Sequence, residues 1–220
     1  MPVESTDVPV AAESPNGTQL AKRSAPVAKL LKSKLLMWAI VVLPGLWPVV
    51  AWFTQDVGII ADPPRYLLNH MGTLATLFLA LVLCFTPLRK LFPKREWTRS
   101  LNRHRRLIGV ACGTYALLHL SSYWLGFGKI TFEEFNTDNI FILSGAAGLL
   151  LLTLLTVTSA NIMVKLLGKH WKTLHRFVYL AAFFVMWHLA IQEKTGPDRM
   201  FYAFIPVIVL QVARVVKSRG

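Results

Sequence analysis

The chain has 220 residues, of which 54% are hydrophobic and 16% charged, with a formal net charge of +13 and a mean hydropathy of +0.48. A soluble domain carries about 25% charged residues; here the deficit comes with several apolar runs long enough to cross a hydrocarbon core of about 30 Å. Disorder, collagen, coiled coil and soluble enzyme are excluded as descriptions of the whole. The positive charge does not point to nucleic acid either, because the basic residues fall between the apolar runs and on alternate sides of them.

Residues 1–34 read as a disordered cytoplasmic tail. Its first 28 or so residues are rich in Ser, Pro, Ala and acidic residues, lack a hydrophobic period, and cannot bury enough apolar surface to offset chain entropy. Glu4, Asp7 and Glu13 at its start, and the absence of an apolar run before Lys22, argue against a signal peptide. Residues 35–220 predict an all-α, polytopic membrane bundle of six transmembrane helices, over about 35–53, 67–86, 107–125, 140–158, 173–191 and 200–216. Pro44, Gly45 and Pro48 bend the first span and Pro206 the sixth. Backbone groups freed by such bends must be covered by neighbouring helices, which implies a packed bundle.

Charge orients it. The tail and the loops on one side hold 20 basic and 4 acidic residues; the other side holds Arg65, Lys129, Lys194 and Arg199 against seven acids. Alternation over every loop is a positive-inside pattern, which puts both termini of a multi-pass membrane protein in the cytoplasm. The basic loop 87–106 most simply meets anionic headgroups, with an acidic partner as the alternative. Cys84 and Cys112 lie inside apolar runs, form no CxxC or CxxCH, and read as free thiols. Neither GxGxxG nor GxxxxGK[ST] occurs, so no nucleotide-binding domain is expected.

The histidines carry the chemistry. His104 and His170 fall in basic loops and read as ordinary solvated residues, whereas His70, His119, His175 and His188 fall in apolar spans, where an ionisable residue is costly and marks a pathway or a ligand. A lone intramembrane histidine can equally make an interhelical hydrogen bond. Two at matched depth suggest more. At about 1.5 Å per residue, His119 lies roughly 18 Å and His188 roughly 22 Å from the inner ends of their spans. An imidazole from each side is how a b-type haem is held without covalent attachment. Zinc would want further ligands, and no acid lies at that depth. His175 is roughly 20 Å from His188 along the helix, a spacing suited to a second haem, but on an ideal helix the two side chains diverge by roughly 140°. His70 is level with the outer pair. The aromatic residues near these positions (Tyr115, Tyr123, Trp124, Trp171, Tyr179, Phe183, Phe184 and Trp187) read first as packing and interfacial belts. Gly109, Gly113, Gly145 and Gly148 read as sites of close helix approach.

The strings ADPPRYLLNHMG (61–72), RRLIGVACGTYALLHLSSY (105–123) and LTVTSANIMVKLLGKHWKTLHRFVYLAAFFVMWH (155–188) resemble the ferric-reductase-like transmembrane family. Within it they are most similar to the haem-binding membrane subunits of bacterial protein-methionine-sulfoxide reductase systems. The resemblance implies an electron-transfer subunit of the bacterial inner membrane rather than a catalytic one. Electrons would come from the quinone pool, with a flavin reductase as a further source, and pass to a periplasmic molybdopterin-containing subunit that repairs oxidised methionines. It implies haem b, with His119, His175 and His188 as metal ligands and His70 as a further cofactor-binding residue. FMN is the weakest of the implied cofactors, since no segment shows a flavin fold. The wider superfamily places two histidines on span three, where this chain has His119 alone, with Arg105 beside His104 at the other position. The alternative function is a transmembrane ferric reductase or oxidase-like haem protein that takes electrons from a separate flavoprotein.

Overall fold

A computed structural model describes residues 33–128, 139–191 and 198–219. The tail to residue 32 and most of the loops at 126–139 and 192–199 lie outside the described residues. All regular structure among the described residues is helical, and the molecule is an all-α, polytopic membrane protein.

The first segment is broken by its prolines. Helix α1 (Lys34–Val42), capped by Ser33, passes into a 3-10 turn (Leu43–Leu46), then α2 (Trp47–Phe53) and a short α3 (Val57–Ala61). Pro48 has no N–H to give the Pro44 carbonyl. That carbonyl instead takes the Trp47 N–H and the His70 Nε2–H at 2.8 Å. One turn earlier the Val41 carbonyl accepts the Tyr115 hydroxyl at 2.7 Å. Gly45 makes room for that phenol, since a Cβ there would overlap the Tyr115 hydroxyl. The bend is therefore sealed by side chains from two other helices.

Helix α4 (Pro63–Leu91) starts on an Asp62 cap with Pro63 and Pro64 in its first turn, where missing N–H groups cost nothing. Its 29 residues span roughly 43 Å, more than a bilayer core. Pro87 orphans the Leu83 carbonyl near its end, and Gln211 Nε2 faces that carbonyl at 3.5 Å. Helix α5 (Glu96–Arg103) and a break at His104 lead into α6 (Arg105–Phe127). Then follow α7 (Ile140–Val157), α8 (Asn161–Leu167), α9 (His170–Leu174), a 3-10 turn (His175–Phe177), α10 (Val178–Ile191) and α11 (Asp198–Arg219).

Four stretches, Lys34–Phe53, Pro63–Leu91, Ile140–Val157 and His170–Ile191, are long and apolar enough to cross a membrane. Helices α6 and α11, at 23 and 22 residues, match the third and sixth predicted spans in position. Polar residues such as His119, Ser121, Ser122 and Tyr123 dilute the hydropathy of α6. The helices pack as two main pairs, α4 with α6 and α7 with α10; α6 against α7 joins the pairs, and α11 lies along α4. Leu79, Phe85, Ile108, Cys112, Ala181 and Phe204 are buried in the shared core. Leu35, Phe53, Leu125, Leu150 and Tyr202 stand exposed, as lipid-facing side chains must.

One end of the bundle is basic. There Arg105 donates to Thr86 Oγ1 at 2.9 Å, Arg106 to Asn161 Oδ1, and Lys217 to the Leu91 carbonyl at 2.8 Å, tying α6, α8 and α11 to their neighbours. The opposite end carries Asp56, Asp62 and Arg65. Cys112 is buried, with its thiol on the Ala75 carbonyl at 3.3 Å, and Cys84 is half-buried; both are free.

Candidate functional site

His119 on α6 and His188 on α10 meet where the two helix pairs join. Their ring centroids are 6.5 Å apart and their planes nearly perpendicular, at 86°. Each ring is held in the same way. His119 Nδ1 contacts the Leu68 carbonyl of α4 at 2.8 Å, and His188 Nδ1 contacts the Phe141 carbonyl of α7 at 3.0 Å. A carbonyl only accepts, so Nδ1 carries the proton in both rings and Nε2 is left with its lone pair.

The glycines explain how the rings reach those carbonyls. In a helix the carbonyl of residue i points along the axis toward the N–H of residue i+4, so a donor arriving from outside lies against the side of residue i+4. Four residues after Leu68 is Gly72, and four after Phe141 is Gly145. A Cβ at Gly72 would lie 2.8 Å from His119 Nδ1, and one at Gly145 would lie 2.8 Å from both Nδ1 and Cε1 of His188. The Phe141 ring also stacks on His188, with centroids 4.1 Å apart. A cleft of about 450 Å³ opens between α7 and α10, lined by apolar groups that include Leu143, Ala147, Phe184 and Trp187 but by neither His188 nor Phe141.

His175 lies toward the basic end, in the 3-10 turn before α10. Its Nδ1 is 3.2 Å from the Trp171 carbonyl, its Nε2 is 3.3 Å from Ser159 Oγ, and its ring stacks on Trp171 at 4.0 Å. The Ser159 hydroxyl donates to the Leu155 carbonyl at 2.7 Å, so both ring nitrogens of His175 face oxygens that accept, unlike those of the outer pair. Three residues wound at about 120° instead of about 100° advance the phase by roughly 60°, so His175 and His188 diverge by roughly 80° rather than 140°. His70 is different. It spends Nε2–H on the Pro44 carbonyl, stacks on Tyr66 at 6.2 Å, and is not drawn into the His119–His188 pair. His170 is exposed as expected, but His104 is only 8% exposed. The break between α5 and α6 folds it inward, which its basic sequence neighbours did not suggest.

The separation of the pair suits a metal held between two imidazoles. With metal–imidazole bonds of about 2 Å on each side and about 1 Å from nitrogen to ring centre, one metal between two rings sets their centroids roughly 6 Å apart. Among the described residues no three His, Cys, Asp or Glu side chains converge on a metal site. Two protein ligands suffice only where a macrocycle supplies the rest.

A model of the ferric reductase like transmembrane component matches residues 71–186, more than half of the chain. The chain belongs to the ferric reductase-like transmembrane family. Its role is accordingly membrane electron transfer of the reductase type, and the family commonly binds haem. The matched segment holds His119 and His175 and stops two residues before His188. No solved structure matches the chain.

Sequence reasoning on this family member paired the two outer histidines but missed their supports. Gly72 stands in the NHMG string and could have been found as a small residue one turn beyond an acceptor at histidine depth. Gly145, which reads as plain packing in the sequence, clears space for the His188 ring. Nothing in sequence marks the Leu68 and Phe141 carbonyls or the Phe141 stack.

Proposed function

We propose that the chain is a haem b electron-transfer subunit of the MsrQ kind, in which His119 and His188 would hold the haem. Six helices cross the inner membrane with both termini in the cytoplasm, and electrons pass from quinol to a periplasmic molybdopterin-containing methionine sulfoxide reductase. The observation that carries this reading is the pair of imidazoles 6.5 Å apart, each with Nδ1–H fixed on a backbone carbonyl. That hydrogen bond orients the ring and selects the tautomer whose Nε2 can bind a metal. A bound haem would supply one-electron chemistry. The protein would hold it between the two rings, with the Phe141 ring stacked on His188. His175 is the candidate ligand for a second haem toward the basic end, which the charge pattern assigns to the cytoplasm.

A visible spectrum of the purified, detergent-solubilised chain from haem-replete cells tests the ligation. A low-spin bis-imidazole signature is expected, and no Soret band would overturn the reading. Anaerobically, a quinol analogue should reduce the haem and NADPH alone should not. Methionine sulfoxide should leave the reduced spectrum unchanged until the molybdopterin-containing subunit is added. Rapid reduction by NADPH without a flavoprotein, or direct reoxidation by methionine sulfoxide, would refute the assignment of donor or of acceptor.

A further inference from the structure

At the basic end, helices α4 and α11 finish side by side and enclose a cleft of about 440 Å³. Arg89 and Lys90 of α4 and Arg214 and Lys217 of α11 all line it, and no carboxylate does, among the described residues. The two arginines are half-buried, the two lysines exposed. Lys217 spans the gap to the Leu91 carbonyl, and Arg89 turns to the Pro93 carbonyl, so both cations are fixed at the rim by neutral acceptors. Like charges gathered this closely repel one another. The negative C-terminal ends of the two helices offset part of that, and an anion placed among them would offset the rest.

We infer that this cleft binds the phosphate headgroup of an anionic phospholipid. Its level favours a lipid over a soluble anion. Pro63–Leu91 is a membrane-crossing helix by length and hydropathy, and the cleft lies around its last turn, where headgroups begin. Basic pockets between transmembrane helices on the positive side are a recurrent form of lipid headgroup recognition. Arginine suits this use, because its planar fork matches phosphate oxygens two at a time. A headgroup bridging Arg89 and Arg214 would also clasp α11, the last helix, to α4. The inference is independent of what the histidines bind.

The test is lipid binding to the full-length protein in detergent, read by native mass spectrometry and by the thermal midpoint of intrinsic Trp fluorescence. The probes are cardiolipin, phosphatidylglycerol, phosphatidylcholine, inorganic pyrophosphate and a poly-glutamate peptide. Cardiolipin and phosphatidylglycerol should bind and raise the midpoint, while phosphatidylcholine should do neither. Lys90→Gln with Arg214→Gln removes two cations that make no other hydrogen bond among those described. At about a tenfold loss per 1.4 kcal/mol, losing two such charges should weaken cardiolipin binding roughly thirty-fold. Lys165→Gln with Lys169→Gln removes the same charge from the same end outside the cleft, and should weaken binding less than threefold. Equal losses in the two double variants would mean diffuse surface charge and would overturn the site. Pyrophosphate or poly-glutamate binding as tightly as cardiolipin, or equal binding of phosphatidylcholine, would overturn the lipid assignment.

Discussion

Gly72→Ala and Gly145→Ala probe the histidine pair without touching a proposed ligand. The added methyl at position 72 would lie 2.8 Å from His119 Nδ1 and 3.0 Å from Cε1; at position 145 it would lie 2.8 Å from two atoms of the His188 ring. Comfortable contact needs about 3.5 Å, so a rigid ring has to move by more than half an ångström and draw away from the carbonyl it bonds. Losing that hydrogen bond costs about 1 kcal/mol and overpacking about 1–3 kcal/mol, partly offset by the roughly 1 kcal/mol of helix propensity that alanine gains over glycine. The net loss is about 1–3 kcal/mol of stability. Disturbing an outer-shell partner of a metal ligand typically weakens metal binding 10- to 100-fold, about 1.4–2.7 kcal/mol, so haem retention should fall even where the fold survives. The assay is the haem-to-protein ratio and reduced-minus-oxidised spectrum after purification. Gly109→Ala serves as control, since a Cβ there meets nothing within 4 Å. If both alanine variants keep the haem content and low-spin band of that control, glycine clearance does not hold the rings.

His119→Ala and His188→Ala should each abolish the same low-spin signal in the visible spectrum. His70→Ala should keep that spectrum, because its Nε2–H is committed to Pro44, and should lower the thermal midpoint by an amount equivalent to about 0.6–1 kcal/mol. Tyr115→Phe, which removes the hydroxyl that seals the Val41 carbonyl, should cost a similar amount in chemical denaturation and leave haem content unchanged. Gly113→Ala would drive a methyl into the Thr156 side chain between α6 and α7; a loss of about 1–3 kcal/mol is expected in the same denaturation assay.

The helices were legible in the sequence because an apolar run of membrane length can satisfy its backbone within lipid only by coiling into a helix. The six predicted segments all appear as helix or broken helix, with α4 running longer at both ends, at its start because Asp62 caps it and Pro63 and Pro64 open it. Equal depth was legible too, since rise per residue is fixed, and it brought His119 and His188 together on paper. Rotation was not. Apolar residues line every face of α7 and α10, so the pattern does not say which face turns inward, and in lipid no hydrophobic drive between helices supplies the missing bias. That is why Gly145 reads as generic packing and Gly72 carries no mark. The burial of His104 was hidden for another reason: it depends on the break between α5 and α6, inside a stretch whose arginines suggested water. Nor does periodicity reveal a 3-10 turn such as the one at His175, which follows from local packing.

The two rings belong to different helix pairs, and each ring rests on a carbonyl of its own pair: His119 with α4, His188 with α7. Each half of the site thus carries the support for its own ring. During biogenesis the α4–α6 hairpin can enter the bilayer and lock its imidazole while the rest of the chain is still on the ribosome. The later α7–α10 hairpin does the same, and only their docking creates a two-sided slot. A haem held as proposed would then be inserted late, on a preassembled scaffold. It follows that colourless protein should accumulate in haem-starved membranes as a folded precursor that remains ready to be filled, instead of being cleared as misfolded.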